Sequence, residues 1–147
     1  MGKKCFNYED RERAKATCIQ DLFISTALLN APSVYVICKI KNDAKGRRLN
    51  EETGLNVVGC TVRLKSEYLR HLYERHYNET QKKQRGIHLK DLLSLKDIVL
   101  DYDEIIYDEK RKGIKFIKKF PSGTVIFVTV CDEKNRMLEG KSLWVKV

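Results

Sequence analysis

Val125-Ile126-Phe127-Val128-Thr129-Val130 is the stretch that decides the fold, because five of its six residues are apolar and most are β-branched. A run this short and this apolar predicts a central strand that is buried on both faces. Residues 114–120 alternate apolar and basic side chains, and Pro121-Ser122-Gly123 supplies a hairpin turn between the two strands. After a turn at 132–135, residues 137–147 predict a last strand, so the C-terminal third is expected to be an antiparallel meander.

The chain upstream of this meander mixes helical and strand patterns. Apolar residues recur at helical spacing between 8 and 30 and predict an N-terminal helix, whereas residues 34–40 predict a strand. Residues 41–54 have the composition of a polar loop, residues 55–64 predict a second strand, and residues 66–77 and 89–99 predict two more helices. The predicted fold class is therefore α+β, with N-terminal helices followed by an antiparallel β-meander sheet.

The length of 147 residues predicts a single domain. Within it we distinguish an N-terminal helix and strand extension (1–56) from a core (57–147). No stretch reaches the roughly 18 uncharged apolar residues of a membrane span, and no apolar run follows Lys3 and Lys4 as a secretory signal requires. The five cysteines lack the close spacing of a zinc or redox site, and reduced thiols are expected in a cytoplasmic protein.

Basic charge is concentrated in the window that also contains all three histidines, His71, His76 and His88. Residues 61–90 carry eight Lys and Arg against three Glu, a net charge of +5 out of the +9 of the whole chain. A local basic surface favours an anionic partner, with nucleic acid first in line, although solubility alone is the alternative explanation. Imidazoles that titrate near neutral pH suit proton transfer on a phosphodiester.

Helical geometry separates the two histidines of the predicted 66–77 helix. At about 100° per residue, His76 lies with Leu72 on the apolar face, while His71 lies nearly opposite, beside Glu67. His76 is the preferred catalytic candidate, with a purely structural histidine as the alternative. His71 is either an auxiliary residue of the same site or a solvated residue on the outer face of the helix. The spacing of His, Cys and acidic residues offers no zinc site, so neither a metal nor a cofactor is expected.

His71-Leu72-Tyr73-Glu74-Arg75-His76 resembles the His-aliphatic-x-x-Arg-His helix of the phage-associated barnase/EndoU/colicin/RelE-like nuclease domains. The resemblance covers about residues 57–147. It includes an acidic turn at 101–105, similar to the family's Pro-Asp-x-Ile corner but with Tyr102 in place of Pro, the basic strand end Lys118-Lys119, and the motif Ser142-Leu143-Trp144. It implies a barnase/RelE-like fold and a metal-independent ribonuclease of phages, mobile elements or toxin systems.

Carried over residue by residue, the resemblance implies a catalytic set of His76, Arg75, a strand cation at Lys118 or Lys119, and the hydroxyl of Ser142. Such a set suits RNA cleavage in which the 2′-hydroxyl attacks the adjacent phosphorus, an imidazole moves protons, and cations stabilise the charged transition state. His71 is a further catalytic candidate. The expected RNA-binding residues are basic and surround this set, namely Arg70, Lys82, Lys83, Arg85 and Lys119.

The predicted function is thus an endoribonuclease, with tRNA among the candidate substrates and an antitoxin or immunity protein as a candidate partner. Two alternatives use the same basic face without catalysis. One is a catalytically inactive nucleic-acid-binding module, and the other is a phage or host protein–protein inhibitor that binds an acidic partner. RNA cleavage in the presence of EDTA separates the first prediction from both alternatives.

Overall fold

The computed structural model describes residues 14–16, 33–66, 68, 84–85 and 89–147. The three described helices are α1 (Ala44–Thr53), α2 (Leu89–Leu93) and α3 (Leu95–Leu100), and Ser66 and Tyr68 are also helical. The strands form one sheet and are β1 (Ala14–Ala16), β2 (Ser33–Lys39), β3 (Thr61–Lys65), β4 (Gln84–Arg85), β5 (Glu104–Asp108), β6 (Gly113–Phe120), β7 (Gly123–Asp132) and β8 (Met137–Lys146).

The strand order is β1-β2-β3-β8-β7-β6-β5, and β4 also pairs with β8. Strands β5 to β8 pair antiparallel in chain order, as do β2 and β3. By contrast, β1 runs parallel to β2, and β3 runs parallel to β8. The α+β class is confirmed, whereas the sheet as a whole is mixed rather than antiparallel.

The predicted helix over residues 8–30 is wrong at residues 14–16. These three residues form β1, which lies in parallel register with residues 33–35 of β2. Hydrogen bonding to the edge of β2 thus overrides the helical spacing of apolar residues at this point. The rest of the predicted helix lies outside the described residues.

Helix α1 occupies part of the segment that was predicted to be a polar loop. The Asp43 side chain accepts a hydrogen bond from the Gly46 N–H at 2.9 Å and caps its first turn. Gly54, with φ 73°, ends the helix in the left-handed conformation and donates its N–H to Asn50. Only Gly46, Leu49 and Thr53 are buried, so the helix has too narrow an apolar stripe to be recognised by periodicity.

Two predicted boundaries also move. The strand expected from residue 55 begins only at Thr61, because the preceding loop is held by Asn50, whose Oδ1 accepts hydrogen bonds from the N–H groups of Val57 and Val58. The single helix expected over 89–99 is two short helices that meet at Ser94. The Ser94 hydroxyl donates to the Lys90 carbonyl at 2.9 Å, a local bond of the kind that bends helices.

The sheet has one face covered by the described helices, which we call the helix-side face. Strand residues in direct register share a face, so the buried Phe127 and its partners Phe116 and Leu143 mark this side. The three helices bury their apolar residues in the same cluster, including Leu49, Leu92, Leu95, Ile98 and Val99. The other face, here called the far face, carries Lys115, Ile117, Ile126, Val128, Ser142 and Trp144, none of which belongs to that cluster.

A β-bulge in β8 decides which side chains reach the far face. The register shifts between the pair Thr129–Gly140 and the pair Val128–Ser142, so that Lys141 is the extra residue. Leu138 lies on the helix-side face before the bulge, and Leu143 lies there after it. Ser142 and Trp144 therefore face away from the helices.

None of the helices in the described part of the chain is long and apolar enough to cross a membrane.

Candidate functional site

Most of the basic and histidine residues singled out in the sequence lie outside the described residues. These are Arg70, His71, Arg75, His76, Lys82, Lys83 and His88. The backbone of Arg85 lies in β4, in register with Val145 of β8. Lys118, Lys119 and Ser142 are fully described, and their placement tests which of them can share one site.

The helical segment that follows β3 touches the middle of β8. The Tyr68 hydroxyl lies 2.5 Å from the Lys141 ammonium, which also sits 4.3 Å from the centre of the Tyr68 ring. Ser66, at the start of this segment, is buried. The point from which the predicted histidine helix departs is therefore anchored at the bulge residue that precedes Ser142.

Lys118 lies on the helix-side face, because it is in register with the buried Val125. Its ammonium donates to the Asp101 carbonyl at 2.7 Å and contacts the Asp101 carboxylate at 3.2 Å. Only 17% of its side chain is exposed. Lys118 thus ties the end of α3 to β6 and does not face the same side of the sheet as Ser142.

The acidic turn at 101–103 is held in place by the strand that follows it. The Asp103 N–H donates to the Ile117 carbonyl at 2.8 Å, and the Asp103 carboxylate accepts the Lys119 N–H at 2.7 Å. This backbone donor, helped by the charges of Lys118, Lys45 and Lys119, lowers the pKa of Asp103 below its ordinary value. The carboxylate therefore works as a fixed hydrogen-bond acceptor that shapes the corner.

Tyr102, which stands where the family pattern has Pro, is a core anchor of the same corner. Its ring is fully buried and packs edge-to-face on Phe116, with 5.9 Å between ring centres. Its hydroxyl donates to the Lys45 carbonyl at 2.8 Å, and the Lys45 ammonium in turn donates to the Tyr102 carbonyl. Burial raises the pKa of this phenol. The turn thus connects α1 to β6.

Among the described residues, Lys115 is a cation that shares a cross-strand row with Ser142. Lys115, Val128 and Ser142 are cross-strand neighbours in one row of the far face. The Lys115 ammonium also lies 5.9 Å from the centre of the Trp144 ring, within cation–π range. Lys115 was not among the residues predicted from the sequence, although its place between the apolar Ile114 and Phe116 indicates that it points away from the core.

Lys119 shares the far face with Ser142 but lies at the end of the sheet. It is in register with Thr124, which is in register with Lys146. Its side chain is 66% exposed, and its ammonium lies 3.5 Å from the Glu104 carboxylate. Of the two lysines proposed as the strand cation, Lys119 therefore shares the far face with Ser142, and Lys118 does not.

A half-buried ion pair lies on the far face, one row from Lys115 and Ser142. Arg63 contacts one oxygen of Glu139, Oε2, through Nη2 at 2.6 Å and through Nε at 2.7 Å. The other oxygen, Oε1, is buried and has no hydrogen-bond partner among the residues that the structure describes. Within the described ranges, no group of three or more His, Cys, Asp or Glu side chains converges in a way that could hold a metal ion.

A protein-family model described as phage-Barnase-EndoU-ColicinE5/D-RelE like nuclease3 matches residues 39–147. Comparisons with curated proteins and with solved structures gave no match. The match begins upstream of residue 57, so it includes α1 as well as the histidine segment and every strand from β3 to β8. It covers most of the chain, which therefore belongs to this phage-associated family of barnase/EndoU/colicin/RelE-like nucleases.

Proposed function

We propose that the chain is a metal-independent endoribonuclease whose active site lies between the histidine helix and the middle of β8. Family membership supports a nuclease in general. The observation that supports the more specific proposal is the contact between Tyr68 and Lys141, because it brings the start of the histidine segment to the residue that precedes Ser142 in β8.

In the proposed reaction the RNA 2′-hydroxyl attacks the adjacent phosphorus, and the bond to the leaving 5′-oxygen breaks. His76 moves the proton, as general base toward the 2′-hydroxyl or as general acid toward the leaving oxygen, a contribution of about 10²- to 10⁴-fold. Arg75 holds the phosphoryl oxygens through its planar guanidinium. His71 is a secondary proton-transfer candidate.

On the strand side, Ser142 donates a hydrogen bond to a phosphoryl oxygen, and Lys115 supplies the positive charge. Lys115 takes the role that the family resemblance gave to Lys118 or Lys119, because it shares a row and a face with Ser142. Preorganised donors and cations of this kind stabilise the charge that develops in the transition state.

Basic residues around this centre are proposed to hold the RNA backbone, with a corresponding salt dependence of binding. They are Arg70, Lys82, Lys83, Arg85 and Lys119. We further propose a toxin-like role in the reducing cytoplasm, with an antitoxin or immunity protein as the inhibitor. tRNA is one candidate substrate.

The proposal is tested by incubating the purified full chain with single-stranded RNA and with tRNA in excess EDTA. Cleavage leaving 2′,3′-cyclic phosphate ends is expected, and a 2′-deoxy substitution at the cleaved position should abolish it. His76→Ala should lower the rate by about 10²- to 10⁴-fold. His88→Ala is the matched control and should keep the rate.

Two outcomes contradict the proposal. RNA that stays intact with folded protein at high concentration, yet binds in a salt-dependent manner, would make the chain a catalytically inactive binding module. Full activity of the His76→Ala variant would remove the assigned general acid–base.

A further inference from the structure

Trp144 is the one tryptophan of the chain, and it lies on the far face of the sheet. It is in register with Ile126, which is in register with Ile117, so an apolar row leads up to the indole. Although these three residues are apolar, none of them belongs to the core cluster under the helices. Trp144 is half-buried and is therefore not a core residue in the usual sense.

The surroundings of Trp144 are basic. The Lys115 ammonium lies 5.9 Å from the ring centre on one side. On the other side, the next row holds Lys119 and Lys146, which are both exposed. Two anions lie near these rows, Glu104 at 3.5 Å from the Lys119 ammonium and Asp103, whose carboxylate accepts the Lys119 N–H. A flat aromatic side chain among surplus cations matches the two parts of a nucleotide, the base and the phosphate.

We propose that an unpaired base of the RNA substrate stacks on the indole of Trp144, while Lys115 contacts a neighbouring phosphate. The inference rests on the proposed function only in taking RNA as the ligand, and it names the substrate class as unpaired rather than duplex RNA. A base inside a duplex has both faces covered by its neighbours, so it is not free to stack on a side chain.

The indole of Trp144, which we call the stacking platform, lies close to Ser142 of the proposed active site. Ser142 and Trp144 are two residues apart on β8 and therefore point to the same side, about 7 Å apart along the strand. That spacing is close to one nucleotide step. A base on Trp144 would thus place the adjacent phosphodiester near Ser142 and Lys115.

Binding is measured apart from cleavage by titrating the full chain with a short 2′-O-methyl oligouridylate, which lacks the attacking hydroxyl and stays intact. Because Trp144 is the chain's one indole, quenching of the intrinsic fluorescence reports on the platform itself. We expect quenching on binding. The Trp144 variants have no indole, so their affinities are measured by the fluorescence anisotropy of a dye-labelled form of the same oligonucleotide. In this assay Trp144→Leu should weaken binding by about 5- to 160-fold, whereas Trp144→Phe, which keeps an aromatic face, should retain most of it.

Leu93→Ala is the control, because Leu93 is also a large and exposed apolar side chain but lies on α2. It should leave binding unchanged. Equal affinity of Trp144→Leu and the unmodified chain, fluorescence that does not change on saturation, or equal affinity for a self-complementary duplex would each overturn the platform. If Trp144→Leu fails to fold, the fluorescence titration and the Phe variant still decide the question. Loss of cleavage with intact stacking would overturn the proposed function instead.

Discussion

Lys115 and Ser142 lie in one cross-strand row of the far face, with Val128 of β7 between them. Lys118, three residues further along β6, faces the helices and is bonded to Asp101. Two lysines of the same strand thus have separable roles, one toward the proposed ligand and one toward the fold. Substituting each to Ala distinguishes these roles.

Lys115→Ala should weaken RNA binding at low salt and should lower the slope of log affinity against log salt by about one, as expected for the loss of one phosphate contact. Its stability should stay within about 0.5 kcal/mol of the unmodified chain, since the residue is not part of the core cluster. Fluorescence anisotropy with the non-cleavable oligonucleotide at several salt concentrations measures the slope. An unchanged slope would remove Lys115 from the interface.

Lys118→Ala should have the opposite profile. Removal of its hydrogen bonds to Asp101 should cost about 1 kcal/mol, because the lysine side chain is largely buried while the carboxylate is solvated. For a chain of this size, that corresponds to a Tm lower by about 2–4 °C. Thermal melts by circular dichroism test this, with the exposed Lys110→Ala as the control. A loss of RNA affinity without a lower Tm would return Lys118 to the functional site.

Asp103 makes the free energy of unfolding depend on pH in the acid range. Its folded pKa is lowered, first by the Lys119 N–H and then by nearby lysines, so its contribution to stability is present above about pH 4. That contribution is lost as the pH falls from the ordinary value of 3.8 through the lowered folded value. Asp103→Asn should therefore lose less stability over this interval. Urea unfolding at a series of pH values measures this loss of stability. An identical pH dependence in Asp103→Asn and in the unmodified chain would contradict the role given to Asp103.

Gly140, directly before the bulge, has no room for a side chain. A Cβ there would lie 2.9 Å from Cζ of the buried Phe127 and 3.1 Å from Cδ1 of the buried Leu64. Gly140→Ala should therefore destabilise the chain by about 1–3 kcal/mol through overpacking. Gly113→Ala is the matched control, since its nearest neighbours are 3.6 Å and 3.7 Å away. Urea denaturation measures the free energy of unfolding of both variants, and equal values would contradict the predicted overpacking at Gly140.

The strands were predictable where local pattern and tertiary environment agree. The apolar run at 125–130 and the alternation at 114–120 both fall within observed strands, because burial of one or both faces of a sheet requires these patterns. Helix α1 was missed because its signals lie in its caps, Asp43 and Gly54, and hardly in its apolar content. Strand β1 depends on pairing with β2, which short-range sequence does not reveal.

The site was less predictable, because it depends on which face each strand residue takes. Adjacent residues Lys118 and Lys119 point to opposite sides of β6, and no feature of the local sequence indicates which of the two faces the site. For β8, regular alternation from the buried Leu138 would place Ser142 toward the helices. The bulge at Lys141 reverses that expectation and joins Ser142 to Lys115.

This bulge allows β8 to hold one residue more than its partner strand without turning its core residues outward. Deleting Lys141 would leave an unbroken ladder in which Leu138, Gly140, Leu143 and Val145 still face the helices. If Lys141 stayed and the bulge were lost, regular alternation would instead turn Leu143 and Val145 to the far face. The chain should therefore tolerate removal of this one residue, whereas a change that straightens the strand would exchange the inside and the outside of half of β8.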